Sequence, residues 1–142
     1  MKVNVKQVDQ GFQFSSTNGA EKIFIGVNEE YQENTKGLRP MELLLSSLGA
    51  CLSIDILNLV RKKRIEIENL NIDVEGERDP EPPKAFKIIQ IQVVCNGSVE
   101  SKKLTDIVKK VMNQYCSVFH SLDKNIIIKV NLVLNNEQEQ IL

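Results

Sequence analysis

One long apolar segment constrains the fold of this chain more than any other feature. It reads RPMELLLSSLGACLSIDILNLVRKKR and runs from Arg39 to Arg64. Pro40 suits the first turn of a helix, and from there to about Lys63 the only further glycine or proline is Gly49. Apolar residues fall on nearly every side of this helix, which predicts that it is buried all round. A helix of about 36 Å is too long for a small sheet to cover, so its burial needs a second layer, a second subunit or both.

Short alternating segments precede this helix. Apolar and polar side chains alternate in three stretches within residues 3–25, and turn signals at residues 9–11 and 17–19 separate the stretches. This pattern predicts a three-stranded antiparallel meander. The polar segment 28–37 then predicts a mobile surface loop.

The chain after the long helix predicts two more strands, a second helix and a last strand. These elements cover residues 70–74, 88–94, 100–115 and 126–134. Ser98 or Ser101 is the expected cap of the second helix, and the tail from residue 135 is expected to fray. The order βββ-α-ββ-α-β predicts an α+β fold with one exceptionally buried central helix.

A chain of 142 residues is predicted to form a single domain, residues 1–142. Within it we expect an N-terminal β meander and loop at 1–38. The central helix and a C-terminal α/β half follow at 39–135, and a tail occupies 136–142.

Charge and hydropathy argue against several classes of partner. The formal net charge is −1, so no basic surface for nucleic acid is expected, and a KH-like RNA-binding module is disfavoured because the chain has no GxxG loop. Polar residues such as Asp55 interrupt the longest apolar run, so no membrane span is expected. The N-terminus shows no apolar core of a signal peptide. These features predict a cytoplasmic protein.

Three cysteines offer the clearest chemistry. Their odd number and the lack of a CxxC spacing argue against a disulfide framework or a zinc site, and with His120 as the single histidine no metal or bound cofactor is expected. Cys51 lies mid-helix, Cys116 lies just after the second helix, and Cys95 ends a strand and is expected to be structural. Two thiols brought together by the fold permit peroxide chemistry: one becomes a sulfenic acid and the other closes a disulfide. A buried thiol without a nearby cation stays inert.

The two cysteine segments suggest a family. RPMELLLSSLGACLSIDIL, followed some 65 residues later by YCSVFHSL, resembles the OsmC/Ohr family of osmotically inducible and organic hydroperoxide resistance proteins. The strand and helix order is similar as well. The resemblance implies the OsmC-like fold and an intertwined homodimer whose central helices are buried.

The same resemblance implies a thiol peroxidase that reduces organic hydroperoxides in oxidative-stress defence. Cys51 would be the peroxidatic cysteine and Cys116 the resolving one, and a lipoylated protein or another dithiol would be the reductant. The hydroperoxide would enter a mostly apolar pocket at the subunit interface, for which the candidate contacts are Leu48, Phe119 and His120.

The cation that would activate Cys51 is the weakest part of the match. Residues 1–38 contain no arginine, although active Ohr-type members carry one there. Arg39 is the best candidate for this role; otherwise a lysine such as Lys22 or Lys36 takes it, or the activity is weak. Glu42 matches the family's active-site glutamate, but nine residues place it half a turn and about 13 Å from Cys51 in an ideal helix. We therefore expect Glu42 to help from the partner subunit or by orienting an arginine. Asp55 shares a helix face with Cys51 and opposes formation of a thiolate unless a cation neutralises it.

A second reading remains open. The chain is then a non-catalytic OsmC-fold dimer that binds a small apolar ligand and whose cysteines are inert. The missing N-terminal arginine favours this reading, and so does Ser117, which stands where the family usually has a proline.

Overall fold

The computed structural model describes residues 1–142 as two compact units, Met1–Leu44 and Leu45–Leu142. The α+β class is confirmed, and a short helix and a terminal strand extend the predicted element order. The elements are β1 (Asn4–Gln7), β2 (Phe14–Thr17), β3 (Lys22–Ile25), α1 (Pro40–Lys62), β4 (Asn69–Arg78), β5 (Phe86–Asn96), α2 (Ser101–Gln114), α3 (Ser117–His120), β6 (Ile127–Leu134) and β7 (Glu137–Gln140).

The first unit contains the predicted meander, because β1, β2 and β3 pair antiparallel in that order. Side chains close both turns: the Gly11 N–H donates to Asp9 Oδ1 at 2.9 Å, and the Gly19 N–H donates to Thr17 Oγ1 at 3.0 Å. Gly19 has a φ of +101°, which a residue with a Cβ rarely adopts. Many apolar side chains of this unit stay exposed: Val3, Val5, Val8, Phe12, Ile23, Phe24, Tyr31 and Leu38.

The second unit is built on a four-stranded sheet with the order β4-β5-β6-β7. Strands β5 and β6 run parallel and α2 connects them, whereas β4 and β7 pair antiparallel at the two edges. Alternate residues of the two central strands are buried, as one covered sheet face requires. They are Ile89, Ile91, Val93, Cys95, Val130, Leu132 and Leu134.

Helix α1 buries one stripe rather than its whole circumference. Its buried residues are Leu48, Gly49, Leu52, Ile56, Leu59 and Val60, whereas Ile54 is 61% exposed. A Cβ on Gly49 would lie 3.2 Å from Val74 Cγ2, so the glycine lets the helix approach β4 closely. A single chain therefore buries only the stripe that faces its own sheet, and burial of the other sides by a second subunit stays a prediction.

By length and composition alone, α1 is apolar enough to cross a membrane. Length and composition alone therefore do not exclude a span, but one such helix is only weak evidence for a membrane protein. The core helix of a soluble protein passes the same test, and here the buried stripe of α1 belongs to the core of the second unit.

The C-terminal segment is ordered, contrary to the expectation that it frays. Strand β7 pairs with β6, and Ile141 is 7% exposed. The predicted serine cap is also wrong: Glu100 is the N-cap residue of α2 and makes no side-chain cap bond. The Ser101 hydroxyl instead donates to Glu139 Oε2 at 2.6 Å, and the Thr105 hydroxyl reaches the same oxygen at 3.3 Å. These bonds tie β7 to α2.

Candidate functional site

Cys51 and Asp55 lie one turn apart on α1, so their side chains share a face. The Cys51 Sγ donates to Asp55 Oδ2 across 3.8 Å. Both residues are half-buried. The helix alone fixes this pair, as their spacing in the sequence predicts.

Cys116 is placed by the junction between α2 and α3. Its N–H donates to the Val111 carbonyl at 3.0 Å and so ends α2. It is the N-cap residue of α3, where its Sγ accepts the Phe119 N–H at 3.4 Å. The side chain is fully buried. Burial, reinforced by a hydrogen bond with Cys51, raises the pKa of Cys116 to about 12, although the Phe119 N–H acts in the opposite direction.

The fold brings Cys116 to the pair on α1. The sulfurs of Cys51 and Cys116 and a carboxylate oxygen of Asp55 all lie within 4.8 Å of one another. We call these three residues the thiol cluster. A disulfide needs sulfurs about 2.05 Å apart, so the two thiols would have to move closer together to form one. Two sulfur donors and one carboxylate are also a set of ligands that a metal cation can use.

Cys95 lies outside this cluster. It is buried on β5, where its Sγ contacts the Asn96 carbonyl at 3.6 Å. Burial raises the pKa of its thiol. These surroundings suit the structural role predicted for it and make it a natural control for experiments on the other two cysteines.

Arg39 and Glu42 form an ion pair in the first unit. The Arg39 Nε donates to Glu42 Oε1 at 2.7 Å, the Arg39 backbone N–H donates to Glu42 Oε2 at 2.9 Å, and the guanidinium also bonds Asn28. The hydrogen bond from Arg39 lowers the pKa of Glu42, and the same bond raises the pKa of Arg39. Glu42 thus orients an arginine, as one of the two predicted ways of acting requires. Whether this arginine activates Cys51 stays a prediction.

The ion pair lines a cavity of about 590 Å³ in the first unit. The other lining residues are mostly polar: Val27, Asn28, Glu29, Glu30, Asn34, Thr35 and Gly37. This lining differs from the mostly apolar pocket expected for an organic hydroperoxide, which stays a prediction.

The three predicted substrate contacts have different exposures. Leu48 is fully buried in the core of the second unit. Phe119 is half-buried and His120 is exposed, and their rings meet edge to face with centroids 5.6 Å apart. Because Phe119 also donates its N–H to Cys116, it is the one of the three that touches the thiol cluster.

Comparison with known proteins decides the family. Residues 32–131 match the sequence model of the family described as OsmC-like protein. The chain belongs to the OsmC-like family. Protein YhfA of Escherichia coli K12 is 28% identical to it over 90 residues, which cover 63% of this chain and 67% of YhfA.

Solved structures agree with this assignment. A hypothetical protein from Aquifex aeolicus VF5 is 31% identical, with a TM-score of 0.83 and 94% of this chain and 95% of the other covered. The organic hydroperoxide resistance protein OhrB of Bacillus subtilis has a TM-score of 0.64 at 19% identity, with 93% and 98% covered. At that identity the likeness to OhrB shows the fold alone. The OsmC-like fold predicted from the cysteine segments is confirmed, and nothing in it indicates a membrane protein.

Proposed function

We propose that this OsmC-like protein is a cysteine-based thiol peroxidase that reduces organic hydroperoxides. The observation that carries the proposal is the thiol cluster, in which Cys51 and Cys116, 65 positions apart in the sequence, lie with their sulfurs within 4.8 Å. A half-buried thiol beside a buried second thiol is the arrangement that peroxide reduction through a disulfide requires.

In the first step, Cys51 attacks as the more exposed of the two thiols. Its thiolate forms a bond to the distal oxygen of the hydroperoxide while the O–O bond breaks. The alkoxide leaves, takes up a proton and becomes an alcohol, and Cys51 becomes a sulfenic acid. The thiol proton is released to solvent, and the Asp55 carboxylate, which contacts the Cys51 sulfur, opposes that release until a cation neutralises it.

In the second step, Cys116 resolves the sulfenic acid. Its sulfur attacks the Cys51 sulfur, water leaves, and a disulfide forms. Burial keeps Cys116 protonated until then, because its pKa is raised to about 12. An external dithiol, such as a lipoylated protein, then reduces the disulfide by thiol exchange and restores both thiols. The sum is one hydroperoxide and one dithiol converted to alcohol, water and a disulfide.

We propose further that the active form is a homodimer of single-domain chains in the cytoplasm. The exposed apolar residues of the first unit and the exposed side of α1, including Ile54, support an apolar partner surface. In such a dimer the Arg39–Glu42 pair of either chain supplies the activating cation.

A second candidate function is a non-catalytic dimer that binds a small apolar ligand. One observation favours it: the charged group in contact with Cys51 is the Asp55 carboxylate, and a carboxylate opposes thiolate formation in the absence of a cation. In this case both thiols of the cluster stay unmodified by peroxide.

Mass analysis after treatment with cumene hydroperoxide tests the proposal. We expect a Cys51–Cys116 disulfide in the wild type and in Cys95→Ser, the matched control, because Cys95 lies outside the cluster. In Cys116→Ser we expect oxidised Cys51 without a disulfide. Unmodified thiols in all three proteins contradict the peroxidase and favour the binding module.

A further inference from the structure

The geometry of the thiol cluster points to a second use of the same residues. We propose that Cys51, Asp55 and Cys116 form a binding site for a thiophilic divalent cation of the Zn²⁺ class. The sequence contains no zinc motif, because such motifs are recognised by ligands a few residues apart within one segment. Here Cys51 and Asp55 come from one helix turn and Cys116 from a junction 65 positions later.

The distances in the cluster suit such a cation. In a tetrahedral zinc site two sulfur ligands lie about 3.8 Å apart and a sulfur and an oxygen about 3.6 Å apart. The Cys51 Sγ and Asp55 Oδ2 already lie 3.8 Å apart, and all three donor atoms lie within 4.8 Å. Rotamer adjustments that move the donor atoms by about 1 Å would therefore bring all three within bonding distance of one ion.

The chemistry of the donors selects the kind of ion. Two sulfurs and one carboxylate match the mixed sulfur and oxygen ligands that zinc accepts. Mg²⁺ and Ca²⁺ prefer six or more oxygen ligands, so this set discriminates against them. On binding, both thiols release their protons to solvent and the sulfurs bind as thiolates. Three protein ligands leave one coordination position for water.

The surroundings position all three ligands. The helix holds Cys51 and Asp55 at one spacing, and Cys116 is fully buried with its sulfur held by the Phe119 N–H. Such positioning lowers the entropy cost of gathering ligands around an ion. The site lies within the second unit and does not depend on peroxidase activity.

Titration of the reduced, metal-free full-length protein with Zn²⁺, and with Cd²⁺ as a spectroscopic probe, tests the site. We expect one cation per chain, an ultraviolet thiolate-to-Cd²⁺ charge-transfer band, and protection of Cys51 and Cys116 from alkylation. Cys95→Ser, the matched control, should bind like the wild type, and Mg²⁺ should not compete. Cys51→Ser and Cys116→Ser should each weaken Zn²⁺ binding by about 100-fold or more. Asp55→Asn should weaken it by about 10-fold.

Each other outcome contradicts the site. Zn²⁺ binding that survives Asp55→Asn unchanged removes the carboxylate from the ligand set, and binding lost in Cys95→Ser places the ion elsewhere. Circular dichroism of each variant distinguishes a loss of Zn²⁺ binding from a loss of folding. If a cysteine variant does not fold, Asp55→Asn still tests the site, because it keeps both thiols. Because Cd²⁺ absorbance and peroxide-driven disulfide formation are separate readouts, either proposal can fail without the other.

Discussion

The thiol cluster and the Arg39–Glu42 ion pair both contain residues predicted to be functional, yet they are built in different ways. The ion pair lies three residues apart in sequence and its side chains are 50% and 38% exposed. The cluster joins residues from distant segments, and Cys116 is fully buried. The charged pair is local in sequence and exposed, whereas the cluster adds a fully buried thiol from a distant segment to a half-buried pair on α1.

The difference predicts which region is sensitive to change. An exposed ion pair contributes about 0–1 kcal/mol because water screens it. A change at a buried thiol has a larger effect, because burial itself shifts the pKa of the thiol. The large effects should therefore come from the thiol cluster, and the ion pair should act mainly on reactivity rather than on stability.

The largest expected effect is on peroxide consumption. Cys51→Ser should lower the rate by about 10³-fold or more, since the nucleophile is removed. Glu42→Gln should lower it less, by about 10-fold, because Arg39 remains and only its orientation is lost. Consumption of cumene hydroperoxide with a dithiol reductant measures both. Equal losses in the two variants would contradict the division of roles, and full activity of Cys51→Ser would end the peroxidase proposal.

The sequence predicts the local half of this site and not the long-range half. The pairing of Cys51 with Asp55 follows from their spacing on one helix, and a contact of Arg39 with Glu42 is equally local. No periodicity places Cys116 beside them, because helix geometry carries no information across 65 positions. Only the resemblance to the OsmC/Ohr family predicted that Cys116 lies close to Cys51.

The same limit explains the errors in the fold. The sequence of the tail from residue 135 resembles a disordered segment, because its strand, EQEQ, is polar. An edge strand that faces solvent can be polar in this way. The sequence signal for this strand is the Asn135-Asn136 turn that precedes it. These two residues have φ of 51° and 71°, which is typical of a tight hairpin. For helix α1, the apolar residues on every side predict burial, but composition does not tell which surface one chain buries and which a second subunit would cover.

The next effect in size concerns alkaline stability. The folded-state pKa of Cys116 is raised from 9.0 to about 12, so unfolded chains release this proton first as the pH rises. The contribution to folding is complete below pH 9 and is lost as the pH approaches 12. The free energy of unfolding should fall by up to about 1.4 kcal/mol per pH unit in this window. Denaturant unfolding at several pH values measures the slope.

A matched pair of variants isolates the Cys116 contribution. Cys116→Ser should show a shallower alkaline slope than the wild type, whatever its absolute stability. Cys95→Ser removes a second thiol whose pKa burial also raises, and it should leave the Cys116 part of the slope in place. Identical slopes in wild type and Cys116→Ser would mean that this thiol titrates normally and is not enclosed.

The smallest expected effect is the stability lost with the ion pair. Glu42→Gln should destabilise the protein by less than about 1 kcal/mol at neutral pH, and the effect should shrink in high salt. Because Arg39 lowers the pKa of Glu42, this contribution is present above the ordinary carboxyl pKa and is lost as the pH falls through the lower folded-state value. Glu100→Gln is the matched control, since Glu100 forms an exposed pair with Lys103 at the same spacing. A loss of stability at Glu42 several times that at Glu100 would show that the Arg39–Glu42 pair is covered in the assembled protein. The pair would then be shielded from water and would lie at a subunit interface.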